Sequence, residues 1–472
     1  MDAPASSPEL AALSRQVKRD LDLLDYPRRP WVSPRQTRAG VPVYDVVIVG
    51  AGQSGLTAAF GLARERVGNI LVLDKNPLDR AGPWLSFARM RTLRTPKYLT
   101  GPDLGIPSLT PRAYYEAQFG EGSWEALGLI PKELWAGYLS WFRRTLQIPV
   151  EPETTVGALE YDAGERCFTV PCSGPGGERL LFARRVVLAT GIDGSGEWRI
   201  PREVSEALPR RLYAHTRDDI DFEALRGKRV AVLGAGASGF DNGATALEHG
   251  AAEVHLLFRR QKLVNVNPYR WAEFVGFLKH AADLPDSDKW RYILQILRMG
   301  QLPPKDTLAR AQQHPNFRLH AGSGWKSLTV RGDGVEIASE SGTISADFVI
   351  VATGFSTDLS TRPELARLQS HIALWSDRYA PPSEERHEDL ARHPYLGQDF
   401  EFTERTPGTA PYLAYLYNYT FGGLLSMGFG GASISGLKYS SQRLVSGITR
   451  SLFLEERAAH FESLCAYSET EF

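Results

Sequence analysis

Residues 44–74 read YDVVIVGAGQSGLTAAFGLARERVGNILVLD. The run Val46–Val49 is apolar and β-branched, and short enough for a buried parallel strand. Gly50-Ala51-Gly52-Gln53-Ser54-Gly55 follows and fits G-x-G-x-x-G. A small-residue helix is predicted over Leu56–Arg66. A second apolar strand, Ile70–Leu73, ends in Asp74, 24 positions after Gly50. Gly50 permits the tight turn, Gly52 lets the backbone approach a pyrophosphate, and Gly55 lets the helix pack on the strand. The helix N-terminus carries about half a positive charge and favours that anion. Asp74 is placed to accept hydrogen bonds from a ribose diol.

The whole unit recurs. KRVAVLGAGASGFDNGATALEHGAAEVHLLFRR, residues 228–260, repeats strand, Gly234-x-Gly236-x-x-Gly239, small-residue helix and strand. Its second strand ends in Phe258-Arg259-Arg260 instead of an acid. An acid there accepts from a free ribose 2′-OH, whereas arginine meets a 2′-phosphate. One charged hydrogen bond is worth about 1.5–3 kcal/mol, roughly ten- to a hundredfold in affinity. The first copy is therefore expected to hold FAD and the second NADPH. A solvated charged strand end is the competing reading of Arg259 and Arg260.

Two Ala-Thr-Gly strand ends, Arg184–Gly191 and Asp347–Phe355, bracket the second copy. That bracketing implies an α/β chain of two nested Rossmann-like dinucleotide-binding domains. The expected division is an N-terminal helical extension (1–39), a first FAD segment (40–191), an NADPH domain (192–345) and a second FAD segment ending in a C-terminal helix (346–472). A helical, aromatic-rich insertion at about 265–315 is read as a lid, a substrate wall or plain core helices. The Thr-Gly ends are the expected hinges. Residues 8–25 read as an amphipathic helix packed on the outside of the body. The Arg-rich stretch after Trp84 either covers the reactive ring of the bound nucleotide or is a surface connection held by arginine hydrogen bonds. The Gly-rich residues 421–436 feed a helix from about Leu437, which is either a second anion site or a tight turn.

The bulk numbers narrow the function. In 472 residues Lys+Arg total 54 and Asp+Glu 55, a net charge of −1, which offers no footprint for nucleic acid or an anionic membrane. No apolar run approaches a membrane span, and the N-terminus lacks the basic start and apolar core of a secretory signal. A cytoplasmic protein is expected, and a homo-oligomer is compatible with the sequence. Only Cys167, Cys172 and Cys465 occur, without C-x-x-C, so disulfide exchange and a metal site are disfavoured. With no cysteine pair and no ligand set for a further carrier, electrons passed from NADPH to flavin are left with O2. Reduced flavin and O2 give a C4a-hydroperoxide that oxygenates a small nucleophile when water is kept away. An NADPH oxidase or flavin reductase without oxygen insertion is the alternative.

The order and spacing of GAGQSG (50–55), GPW (82–84), LATG (188–191), YAHT (213–216), GAGASG (234–239) and VATGF (351–355) resemble the class B flavoprotein monooxygenases. These include flavin-containing, Baeyer–Villiger and N-hydroxylating enzymes, and the likeness runs from about Tyr44 to Gly447. It implies FAD contacts at Gly50, Gly52, Gln53, Ser54, Gly55, Asp74 and Lys75, with Trp84 and Thr95 near the flavin and Val156 near adenine. Thr190, Gly191, Thr353 and Gly354 are expected at the cofactors through the Ala-Thr-Gly ends. Gly234, Gly236, Ser238 and Gly239 would cradle the NADPH pyrophosphate, with Arg259 and Arg260 on the 2′-phosphate. Pro209 and Arg211 stand where the Baeyer–Villiger signature has Phe and Gly before His215, whereas Asp347–Phe355 matches the N-hydroxylating pattern. N-hydroxylation of an amine or amino acid is the favoured expectation, with S-oxygenation or Baeyer–Villiger chemistry as alternatives. Arg94, Lys97, His215 and Asn418 are the candidate catalytic or pocket residues; His215 reads equally well as a structural residue near the hinge.

Overall fold

The computed structural model describes residues 7–99 and 101–472. Its first sheet runs in the order Val150–Glu151, Ile70–Leu73, Pro42–Val49, Gly177–Leu188, Cys167–Gly174, Thr155–Val156. The strand Gly177–Leu188 has two halves. Its start pairs antiparallel with Cys167–Gly174, and its end lies parallel between Pro42–Val49 and Leu416–Asn418. Parallel strands buried on both faces need continuous apolar runs, and Val46, Val47, Ile48, Val186 and Val187 are all fully buried. The first helix of the unit spans Gln53–Arg64, starting at the glycine loop itself, three residues before the expected start.

The second sheet is parallel throughout, in the order Tyr213–His215, Phe348–Val351, Arg229–Leu233, Glu253–Leu257, Phe317–His320. Phe348–Val351 lies inside this sheet, between Tyr213–His215 and Arg229–Leu233. The chain therefore leaves the second domain after residue 351, later than the 345/346 division expected. The Asp347 carboxylate is engaged at the start of that strand by Arg229, whose backbone N–H and Nη2 each donate to it at 2.8 Å. The acid of the apparent N-hydroxylation pattern thus serves strand register, at the end of the sheet away from the glycine loop.

Two chain segments join the domains, and they pair with each other. Gly196–Trp198 runs antiparallel to Phe355–Thr357, and Arg199 N–H donates to Gly354 O at 2.9 Å. A Cβ at Gly196 would stand 2.1 Å from Ser356 O, so only glycine lets the two crossings touch. Asp193 ties this hinge together. It accepts from Trp198 Nε1 (2.9 Å), Lys75 (3.2 Å) and Arg217 (3.0 Å), and these partners hold its carboxyl below the usual range against the opposing effect of burial.

The insertion is a packed wall. Phe277, Leu278, Trp290, Ile293 and Leu294 share a core with Trp375, Leu390, Leu424, Leu425 and Phe429 of the returning first domain. The N-terminal helix, Pro8–Leu23, packs on the outside as expected, burying Leu10 and Val17, with Ser14 Oγ bonded to Trp141 Nε1 at 3.0 Å. No helix among the described residues is long and apolar enough to cross a membrane.

An ion network closes the opposite end of the first sheet. Arg184 and Arg185, 2% and 1% exposed, meet Glu455 at 3.1 and 3.0 Å, and Arg184 also meets Glu456 (2.7 Å) and Asp45 (3.3 Å). Buried cations persist only when paired. Asp45 is the least compensated member, and burial pushes its carboxyl up to about 6. The folded chain keeps that proton up to pH near 6, whereas an unfolded Asp releases it near about 4. Stability from this group therefore falls as pH rises from about 4 to about 6. Asp45→Asn removes the penalty, so its melting temperature should gain on the wild type's between pH 4 and pH 8 in thermal denaturation. A gap that stays constant or shrinks would contradict this assignment.

Candidate active site

At the first loop, Gly50 has φ +110°, and a Cβ there would lie 2.5 Å from Ala189 O. A Cβ at Gly55 would lie 1.8 Å from Gly50 O, while nothing but Gly82 Cα, at 3.9 Å, approaches one at Gly52. The helix that follows has no side-chain N-cap, so its first N–H groups are left for an anion. Asp74 accepts from Ala51 N–H (2.7 Å) and Asn76 N–H (2.8 Å). Its carboxylate therefore holds the glycine turn in place. Thr154 N–H donates to Asp74 O at 2.8 Å, which brings the strand Thr155–Val156 beside the same strand end.

The second loop repeats this geometry. Gly234 has φ +119° and a Cβ there would meet Ala352 O at 2.5 Å; at Gly239 it would meet Gly234 O at 2.2 Å, and at Gly236 nothing lies within 4 Å. The helix Ala237–Glu248 is likewise uncapped, and Ser238 in its first turn is exposed. Arg259 has no hydrogen-bond or ion-pair partner among the described residues; its stem packs against Gly324. Arg260 differs from expectation. It donates to Met299 O (3.2 Å) and Arg298 O (3.3 Å), closing the C-terminus of the helix Asp286–Met299. Arg259 alone is left for a 2′-phosphate.

Several expected site residues turn out to hold the frame. Gln53 takes a hydrogen bond from Trp135 Nε1 (3.2 Å) and donates to Ala432 O (3.4 Å), and Ser54 Oγ donates to Gly431 O at 2.6 Å. Both tie the Gly-rich tail to the first loop. Lys75 pairs with Asp193 at the hinge. Lys97 is no pocket cation: its ammonium is consumed by Trp124 O (2.5 Å) and Leu127 O (2.7 Å) around the short helix Ser123–Ala126. Thr353 Oγ1 donates to Arg199 O in the paired linkers, where Gly191 and Gly354 take positive φ (+67° and +77°). His215 packs against Trp198 of the linker, the ring centroids 5.2 Å apart and the planes tilted by 52°, and its Nδ1 accepts from Arg217 N–H at 3.2 Å. Burial drops its pKa to about 4, so it is neutral at pH 7, and it sits at the hinge. Thr95 follows Arg94, half-buried.

Arg94 has a role that sequence alone did not disclose. Its Nη2 donates to Asp241 at 2.5 Å, and Asp241 lies in the helix of the second loop with Thr307 Oγ1 on its other oxygen at 2.9 Å. Arg91 reaches Glu248 at the end of that helix (2.8 Å). The Arg-rich stretch is therefore a clasp between the two nucleotide domains, nearer to the hydrogen-bonded connection than to a cover over the ring.

Among the described residues, the buried polar atoms without a partner include Trp84 Nε1, Arg94 Nε, Thr190 Oγ1 and Asn418 Nδ2 around the first loop and its strand ends, and His215 Nε2 at the hinge. Trp84 adjoins Gly82, which adjoins Gly52. Thr190 and Asn418 stand at the carboxyl ends of neighbouring strands, with Gly194, Ser195, Thr420 and Gly422 packed around them. Ligands of open α/β sheets bind at such strand ends, and buried donors without partners are costly unless a ligand meets them. A flavin dinucleotide, with pyrophosphate at Gly52 and carbonyl-rich ring beyond, fits this set. Disulfide exchange does not. Cys167 and Cys172 are buried on one strand, and burial raises both thiols to about 11.

Two glycine loops, an acid behind one and a free arginine behind the other, define a two-dinucleotide flavoprotein oxidoreductase. Residues 44–278 match the pyridine nucleotide-disulphide oxidoreductase family model. The chain is 44% identical over 470 residues to the FAD-dependent urate hydroxylase of Xanthomonas campestris pv. campestris, covering 98% of this chain and 97% of that one. In fold it is similar to the ornithine N-hydroxylase of Kutzneria sp. 744 (TM-score 0.67, 17% identity, 87% of this chain and 100% of that). It is likewise similar to the L-lysine 6-monooxygenase of Pseudomonas syringae (TM-score 0.65, 17%, 86% and 99%). On the near full-length likeness to that hydroxylase, the chain belongs to the FAD-dependent hydroxylases, a group of flavin-dependent monooxygenases.

Two outcomes follow from this geometry. Arg259→Ala should raise the KM for NADPH by roughly ten- to a hundredfold and leave that for NADH nearly unchanged, while Arg260→Ala changes neither by more than about twofold. Equal effects of Arg259→Ala on both coenzymes would refute the 2′-phosphate role. Arg94→Met leaves Asp241 buried without its cation and should lower the melting temperature; adding Asp241→Asn should recover most of the loss. Additive losses would show that the pair does not act as a clasp.

Proposed function

We propose that this monooxygenase holds FAD on the Gly50 loop and NADPH on the Gly234 loop, and hydroxylates a small oxopurine of the urate type. The observation that carries the substrate class is the character of the unpartnered nitrogens around the first loop and its strand ends. Trp84 Nε1, Arg94 Nε and Asn418 Nδ2 are all donors. Asp74, Asp193 and Asp241, the carboxylates around the two loops, are each already engaged. An ammonium substrate wants a free carboxylate; an oxopurine, rich in carbonyl oxygens, wants donors. The near full-length likeness to a urate hydroxylase supports the same reading. N-hydroxylation of an amine, the expectation from the Asp347–Phe355 pattern, loses its motif support because that Asp serves strand register.

When bound, the flavin supplies the redox chemistry: hydride from NADPH and O2 yield one oxygen atom for the substrate and one for water. The chain's own residues do the rest. The Gly52 and Gly236 loops bind two pyrophosphates through helix N-terminal N–H groups. Asp74, already holding the Ala51 and Asn76 N–H groups, would have a lone pair left for the flavin nucleotide's ribose, and Val156 would stand beside its adenine. The Arg94–Asp241 clasp ties the first domain to the helix of the second loop and would so set how the two nucleotides meet. The insertion's core against Leu424, Leu425 and Phe429 walls the cleft from water.

The test is substrate-stimulated NADPH oxidation by the FAD-loaded protein, with peroxide release measured in parallel. Urate should accelerate NADPH consumption and suppress peroxide, while L-ornithine, L-lysine and cadaverine do neither. Acceleration by an amine without a response to urate would overturn the substrate class. Stoichiometric peroxide with every compound would make the protein an oxidase.

A further inference from the structure

The strand Leu416–Asn418 ends beside Leu188. Asn418 is 1% exposed there, with its backbone N–H donated to Phe400 O at 2.8 Å. Its side chain has two ends with different fates. Oδ1 accepts from Thr420 Oγ1 at 2.6 Å, and Nδ2 has no partner among the described residues. Nδ2 faces the space left by Gly422, where a Cβ would stand 3.4 Å from it and 3.6 Å from Ser195 Cα.

The orientation of that amide is determined by a chain of bonds behind it. Gly422 N–H donates to Thr420 Oγ1 at 3.0 Å, leaving the hydroxyl proton of Thr420 to find an acceptor. Asn418 Oδ1 is that acceptor. A flipped amide would leave the hydroxyl proton unmet and turn the carbonyl oxygen into the open space. Gly422 is itself held. Its carbonyl faces His393 Nδ1 at 2.9 Å, and His393 is neutral because burial lowers its pKa to about 4. A carbonyl only accepts, so Nδ1 carries the ring proton. His393, Gly422 and Thr420 therefore form one directional relay ending on Asn418, and its open end is a buried donor at the carboxyl edge of the flavin sheet. Thr190 Oγ1, also without a partner, lies in the same cluster, 1.7 Å from where a Cβ at Gly194 would stand.

We propose that Asn418 donates its free N–H to a ring carbonyl oxygen of the ligand bound at this strand end, and that Thr420 is the positioning residue that keeps the donor rather than the acceptor facing it. The carbonyl belongs to the flavin's dione ring or to the oxopurine substrate. The second source rests on the substrate reading above; the first does not.

The two sources separate by titration of the apoprotein with FAD, followed by flavin fluorescence, together with the visible spectrum and steady-state kinetics of the loaded protein. Asn418→Asp removes the donor at constant shape, and Thr420→Val frees the amide to turn. Each should weaken the same constant about three- to tenfold, and the double variant should be no worse than Asn418→Asp alone. Thr420→Ser, which keeps the hydroxyl, should recover most of the Thr420→Val loss. If the flavin supplies the carbonyl, the FAD Kd rises and the visible band shifts. If the substrate supplies it, its KM rises while the FAD Kd holds. FAD Kd, KM and spectrum all unchanged in Asn418→Asp would overturn the proposal, as would losses that multiply in the double variant. Should Thr420→Val not fold, Asn418→Asp and Thr420→Ser decide the matter on the same readouts. Failure of urate as a substrate would leave the FAD titration standing, so the two readings fail separately.

Discussion

Everything in this molecule hangs on one close contact made twice: a backbone carbonyl pressed against a glycine α-carbon. Ala189 O stands where Gly50 would carry a side chain, and Ala352 O stands where Gly234 would. The flanking ladder is identical in both places. Gly50 N–H donates to Leu73 O and Ala189 N–H to Val49 O, at 2.7 and 2.8 Å; Gly234 N–H donates to Leu257 O and Ala352 N–H to Leu233 O, both at 2.9 Å. Each contact brings the end of the third strand against the glycine turn, frees the helix N-terminus beside it, and starts a crossing to the other domain. Nucleotide binding and the hinge are consequences of the same packing.

From this constraint the route to function is short. Since Ala-Thr-Gly follows directly on each buried contact, the two crossings begin at fixed points and pair as Gly196–Trp198 against Phe355–Thr357. The domains are then joined by a two-stranded ribbon at one place and by the Arg94–Asp241 and Arg91–Glu248 pairs at another. Two such connections resist rotation far better than one flexible linker. A hydride donor and acceptor carried on separate domains need that control, because transfer requires the reacting atoms to be held near contact.

The parts legible in the sequence are those where backbone geometry dictates residue type. Glycine with positive φ at Gly50 and Gly234, apolar strands and the Asp74/Arg259 contrast all leave local marks. The nested order follows from the two Ala-Thr-Gly ends that bracket the repeat, but the sheet that Phe348–Val351 joins does not, because its partners are over a hundred residues away. The site was harder to read. Lys97, Lys75 and Arg260 looked like ligands because a cation in a loop carries no sign of the carbonyls or carboxylates that consume it. Asp241, Asp193 and Thr420 drew no notice, since their importance lies in partners supplied by distant segments. Asn418 stands out as a polar residue among the aromatics of the tail, but the hydroxyl that orients it two residues on has no sequence signal of its own. In the Asp347–Phe355 match, the acid itself is held by Arg229 at the start of the strand, a pairing the motif does not announce.

The central claim is that the two glycine loops hold different nucleotides, flavin on the first and NADPH on the second. It is tested most directly by placing the missing methyl at each close contact and measuring bound flavin and its reduction. Gly50→Ala should yield a folded protein that purifies without FAD. Gly234→Ala should retain FAD, with flavin reducible by dithionite but no longer by NADPH. Retention of FAD by Gly50→Ala, or its loss from Gly234→Ala while Gly50→Ala still binds it, would contradict the assignment.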